Sequence, residues 1–300
     1  MTTFRRILVN INPSAGAHPA LDQAEELARR MHAALAMVDV LPDVPDRARR
    51  FVTAEIEQEL VDHRWERLRA VAAQRGLAPD DVMLLRGAPG IALISEVNRG
   101  GYDLLMRTHG EPGETPKGYG PVDMQLLRKC PCPVWLVGAS SSRRPARILA
   151  AIDASCNDPG EAELNRSIIA HARAIQSAEE ASLTVAYAWE PFGLDVLRHR
   201  MNADDFHAFV ESARAAAASD VEAFVTSLSD RQNVVLLNGE PHDAIAQYAD
   251  DAGVDLVVLG TVGRSGFAGA VMGNTAERIL SKIRGSVLAI KPEGFVSPIS

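Results

Sequence analysis

Three hundred residues are enough for two domains of about 150 each. Hydrophobic residues at 47% and charged residues at 23% exclude a disordered chain, a collagen-like fibre and a disulfide scaffold, and aromatics at 5% leave the core to Val, Leu, Ile and Ala. The net charge of −8 weighs against direct binding of nucleic acid, whose phosphates an acidic chain repels.

The first apolar run, 6–12, is too short for a secretory segment and is stopped by Pro13. It reads as a buried strand. Residues 20–31 follow with Leu21, Ala24, Leu27, Ala28 and Met31 at helical spacing. A strand over 35–41 leads to one long helix from about 45 to 75, with Val52, Ile56, Leu60 and Leu68 on its apolar stripe. Charged Arg47, Arg49 and Arg50 at its start read as a solvated face. Strand 82–86, helix 91–98, strand 104–107, a loop with a short helix, and strand 134–137 complete the first half. Residues 138–145 form a linker of small residues ending in Pro145.

The pattern then repeats. Arg6-Ile7-Leu8-Val9 matches Arg147-Ile148-Leu149-Ala150; Gly101-Tyr102-Asp103-Leu104 matches Gly253-Val254-Asp255-Leu256; Leu85-Arg86-Gly87 matches Leu237-Asn238-Gly239. A second long helix starts near Ala203, with Phe206, Val210, Ala213, Ala217, Val221 and Phe224 on one stripe. Strands 234–238, 256–260 and 287–290 and a helix over 244–252 complete this half. Strands alternating with helices predict a parallel sheet with right-handed crossovers. The expected fold is α/β: two tandem, doubly wound, five-stranded sandwiches related by a pseudo-twofold axis, with domains at 1–139 and 146–300.

In such sheets a ligand sits beyond the carboxyl ends of the strands at the switch point. In the second half that place holds five glycines between Gly260 and Gly273, followed by Asn274-Thr275-Ala276-Glu277. The last four residues predict a capping box, with Asn274 as N-cap and Glu277 three places on. Free amides at this helix start, aided by Arg264 or Arg278, would suit an anion. Asp153 ends the facing strand, where a carboxylate can accept from ribose hydroxyls or cap its own loop.

Gly260-x2-Gly263-x9-Gly273 resembles the nucleotide loop of the universal stress protein family, and the strings 259–264, 272–277 and 126–131 resemble its tandem E-type members. The resemblance covers essentially the whole chain. It implies a cytoplasmic stress-resistance factor with an ATP or other adenine-nucleotide site, Mg²⁺ accompanying it, built from Asp153, Gly260, Gly263, Arg264, Gly273, Asn274 and Thr275. Asn274 departs from the family's Ser or Thr; Thr275 carries a hydroxyl one place later. The first half departs further: Thr108 and Glu111 stand where Gly260 and Gly263 do, so its loop is degenerate and loss of nucleotide binding is expected there.

No P-loop, no G-x-G-x-x-G, no hydrolase elbow and no metal-ligand spacing occurs in the chain, and no general base is visible, so it reads as a non-enzyme, with ATP hydrolysis the weakest alternative. Three cysteines, Cys130, Cys132 and Cys156, form no paired framework, consistent with reduced thiols in the cytoplasm. No run of 18 apolar residues predicts a membrane span. The alternative function is a non-nucleotide interaction or apolar, lipid-binding module, with Met201, Phe206, Phe209 and Val210 lining a cavity between the halves. Pairing of the two halves through their fifth strands is expected, with a further homodimer left open.

Overall fold

A computed structural model of the chain describes residues 4–110, 118–141, 144–155, 158–228, 233–261 and 272–299. The first half runs β1 (Arg6–Asn10), α1 (Pro19–Met31), β2 (Ala34–Leu41), α2 (Asp46–Arg49), α3 (Ala54–Arg75), β3 (Val82–Arg86), α4 (Pro89–Gly100), β4 (Leu104–His109), α5 (Pro121–Lys129) and β5 (Val134–Gly138). The second runs β6 (Arg147–Ile152), α6 (Pro159–Glu179), β7 (Ser182–Trp189), α7 (Leu194–Arg200), α8 (Ala203–Thr226), β8 (Asn233–Asn238), α9 (Pro241–Asp251), β9 (Leu256–Gly260), α10 (Asn274–Lys282) and β10 (Ser286–Ile290).

All ten strands form one sheet in the order β3-β2-β1-β4-β5-β10-β9-β6-β7-β8. Within each half every pairing is parallel. At the centre β5 and β10 pair antiparallel, with Trp135 opposite Leu288. The order is a palindrome of equivalent strands, which is the predicted pseudo-twofold, and the fifth strands cover each other's edges as expected. Because strands buried on both faces need apolar residues throughout, β5 reads Val-Trp-Leu-Val-Gly and is wholly buried.

Helices cover both faces. One layer packs α1, α3, α6 and α8 around Val9, Met37, Trp135, Ile148 and Leu288. The other packs α4, α5, α9 and α10 around Leu8, Leu136, Leu149 and Val287. Cys130 and Cys132 are buried in the second layer.

Three expectations change. The single helix from 45 to 75 is two helices, broken where Thr53 turns extended and its hydroxyl accepts from the Ile56 amide at 3.4 Å. On α3 only Leu68 and Ala72 are buried, while Ile56 and Leu60 are exposed. The 22-residue helix spans about 33 Å, whereas the five-residue β3 at the sheet edge spans about 17 Å, so the first turns overhang the sheet. Lastly, α8 packs against β7, away from the seam. The cavity at the seam, about 240 Å³, is lined by Gln23, Trp135, Ser140, Ser141, Pro145, Asp255 and Ser286, and none of the four apolar residues expected there reaches it.

Candidate functional site

The chain reverses direction across the sheet between β1 and β4, and again between β6 and β9. The carboxyl ends of these pairs are the two crevices to compare.

In the second crevice Asp153 follows directly on β6 and lies beside the end of β9, where Ala151 pairs with Leu259. The buried Asn165 of α6 clamps its backbone: Asn165 Nδ2 donates to the Asp153 carbonyl at 2.6 Å, and Asn165 Oδ1 accepts from the Asp153 amide at 3.2 Å. The carboxylate Oδ1 accepts from the Ser155 amide at 3.2 Å and hydroxyl at 2.6 Å. Of the two roles open to Asp153, the geometry displays the loop cap. Gly260 has a packing reason to lack a side chain: a Cβ there would meet Leu164 Cδ2 at 2.7 Å and Ile168 Cδ1 at 3.4 Å, so α6 approaches the strand end closely.

Thr261 is fully buried and ties the loop closed, since its carbonyl accepts from the Gly273 amide at 3.1 Å while its own amide donates to Ile290. Gly263 and Arg264 lie outside the described residues. The capping box is not formed. Gly273, not Asn274, is the N-cap, it offers no side-chain acceptor, and Asn274 is the first helical residue. A glycine has no oxygen to cap with, and Glu277 is thereby one turn in. Instead it accepts from Arg128 of the first half, through Nε at 3.0 Å and through Nη2. The start of α10, with Thr275 exposed, is therefore a positive helix end with no side-chain cap, its first-turn acid Glu277 being engaged by Arg128.

The first crevice is filled by its own polar side chains. Arg107 of β4 donates through Nη1 to Asn10 Oδ1 of β1 and through Nε to Asp123 Oδ1 of α5 at 2.8 Å. Asp123 Oδ2 accepts from the Gly120 amide at 3.1 Å, capping α5. Pro121 at the first helical position removes a further amide. Thr108 Oγ1 accepts from the Ala20 amide at 3.2 Å and so caps α1. The register aligns Asn10 and Arg107 with Ala151 and Leu259, and Asp123 stands where Ala276 does. The two crevices have the same walls and opposite chemistry. Glu111 lies outside the described residues.

Lys291, just past β10, joins the halves. Its buried Nζ donates to the Leu127 carbonyl of α5 and to Thr261 Oγ1 at 2.5 Å. Burial pushes its ammonium down to about 8 from the usual 10.5. Between those values the unfolded chain keeps a proton that the folded chain has released. Stability therefore rises with pH across this window, by up to about 3 kcal/mol for this one group. Below pH 8 the folded ammonium carries its desolvation cost. The expected result is that the wild type gains stability relative to Lys291→Met between pH 7.5 and 10, read as the difference in urea midpoints. A difference that stays constant over that range would refute the assignment.

Residues 3–138, and again residues 146–291, match the universal stress protein family. The chain belongs to that family. Universal stress protein E of Photorhabdus laumondii is 28% identical over 100% of this chain and 98% of its own length. Universal stress protein E of Escherichia coli K12 is 26% identical over 100% and 98%. A solved structure from Pseudomonas aeruginosa PAO1, described as functionally unknown, has a TM-score of 0.69 at 26% identity and covers 97% of this chain and 93% of that one. A universal stress protein from Archaeoglobus fulgidus shares the fold with a TM-score of 0.61 at 14% identity, over 95% and 98%. Within this universal stress fold, Asn165 and the Asn10–Arg107–Asp123 group escaped the reading of motifs. Aligning the two halves residue by residue would have flagged the last group, since a polar residue replaces an apolar one at each of its three positions.

Among the described residues no helix is long and apolar enough to cross a membrane, and no cluster of three or more His, Cys, Asp or Glu is placed to hold a metal ion.

Proposed function

We propose that this chain acts as a tandem universal stress protein of the cytoplasm, dividing at 1–139 and 146–300, whose second half binds an adenine nucleotide such as ATP and whose first half does not. The observation that carries this reading is the contrast between two equivalent helix starts. α5 begins with Pro121 and carries the Asp123 carboxylate on its positive end. α10 begins on Gly273 with no side-chain cap and no acid in its first three residues, at the mouth of a loop closed by Thr261 and Gly273. Such an end favours an anion. The phosphates would lie against Gly260, Gly263, Gly273, Asn274 and Thr275, with Arg264 adding charge and Asp153 facing the ribose. A bound Mg²⁺ would offset the phosphate charge.

Calorimetry with ATP and Mg²⁺ tests this. Wild type is expected to bind, and Gly263→Glu to weaken binding about 100-fold by placing a carboxylate against the phosphates. No heat in the wild type, or equal affinity in both proteins, overturns it. The engagement of Asp153 Oδ1 by Ser155 favours the other reading, a module that binds something other than a nucleotide, and that reading would give no heat in either protein.

A further inference from the structure

The first crevice has a second polar cluster, on the α1 and α3 face of the sheet. Asp39 of β2 is buried at 2% exposure, and Arg64 of α3 answers it through Nε and through Nη2 at 3.1 Å. Arg64 does not stop there. Its Nη1 reaches Ser14 Oγ at 3.4 Å, and Nη1 of Arg67, one turn on, reaches the same oxygen at 3.0 Å. Ser14 itself is held in place, because its amide donates to Asn12 Oδ1 at 3.0 Å in the loop beyond β1.

Two guanidinium groups thus converge on one neutral, exposed hydroxyl. The Asp39 carboxylate balances Arg64 alone, so the cluster keeps one net positive charge. No acidic partner of Arg67 is found among the described residues, and its Nε and Nη2 lie outside the bond to Ser14. Among the described residues the second half has no such pair of arginines. Aligned on the buried pairs Leu68 with Ala217 and Ala72 with Val221, Arg64 and Arg67 correspond to Ala213 and Ala216. There Ser155, the counterpart of Ser14, is held by the Asp153 carboxylate instead. The first-half serine is thus approached by two arginines, and its second-half counterpart by a carboxylate.

We propose that Arg64, Arg67 and Ser14 form a binding site for the phosphate group of a small phosphomonoester. Two planar guanidinium forks meet at a hydroxyl that can turn to donate, a donor set suited to the three free oxygens of a phosphomonoester. The site is independent of the nucleotide reading, since it lies in the other half and uses none of the same residues.

Inorganic phosphate is the probe, titrated calorimetrically at constant ionic strength so that general screening is held fixed. The titration is done in Gly263→Glu protein, which keeps phosphate off the second-half loop. Saturable one-site binding is expected. Arg67→Gln and Ser14→Ala should each weaken it, Arg67→Gln by about tenfold, and Arg214→Gln, an exposed arginine on α8, should leave it unchanged. Both test residues are exposed, so the fold survives their replacement, and circular dichroism confirms it. Absence of saturation, equal affinity in Arg67→Gln, or an equal loss in Arg214→Gln overturns the proposal. A loss of ATP binding in Gly263→Glu with phosphate binding intact separates the two sites.

Discussion

Replacing Asp123 by Ala will destabilise the protein by about 2 to 3 kcal/mol, and adding Asn10→Ala and Arg107→Leu to it will restore most of that loss. The single change leaves the Arg107 guanidinium without its carboxylate and the Gly120 amide without its cap. Breaking a fully buried ion pair costs about 3 to 5 kcal/mol; the cost here is smaller because the Arg107 side chain is 30% exposed and can reach water. The triple change installs the residues that the second half already uses in the same register, Ala151, Leu259 and Ala276, all of them buried. Replacing a whole buried polar group by packed apolar residues removes its desolvation cost with its attraction, and often proves neutral. Urea denaturation of the three proteins at pH 7, wild type, Asp123→Ala and the triple variant, measures both effects. A triple variant less stable than Asp123→Ala alone would show that the two crevices are not interchangeable in packing.

The first half expressed by itself, residues 1–139, will form a symmetric dimer. Its β5 edge is then bare, and that strand is apolar on both faces, with Trp135 at 1% exposure in the intact chain. No charge, proline or bulge guards it. In the whole protein β10 covers this edge antiparallel, and the same surface can pair with itself about a twofold axis. Light scattering behind size exclusion should give twice the mass of one half. A stable monomer at micromolar concentration would show that β5 does not need its partner. Beyond the strand pairing, the half loses the Arg128–Glu277 ion pair, the Lys291–Leu127 bond and the contact of His109 Nε2 with the Gly285 carbonyl at 3.2 Å. It should therefore unfold at lower urea than the intact protein.

Much of this architecture was legible in the sequence. The strands 82–86 and 256–260 fall where they were expected, because short apolar runs bounded by turn residues have few other ways to satisfy their backbones. The helix ends were less legible. Thr53 looks like any polar residue within a charged helix until its backbone turns extended and its hydroxyl takes the Ile56 amide. Asn274 and Glu277 carry a capping-box spacing, yet Gly273 takes the cap, since the chain leaves Thr261 and returns to it one residue earlier. That hydrogen bond joins residues far apart in the loop, and no local spacing encodes it.

The candidate sites divide along the same line. Periodicity and internal repetition, which depend only on which side chains must be hidden, determined the two α/β halves and located both crevices. The difference between those crevices came from long-range contacts. Arg107 meets Asp123 of a later helix, and Arg64 and Arg67 meet Ser14 some fifty residues earlier. Charge and hydrogen-bond complementarity act through space. Only the packed sheet, by bringing β1, β4, α3 and α5 to one end, decided that the first half closes one crevice with its own side chains, aims two arginines at one serine, and leaves the start of α10 in the second half without a side-chain cap.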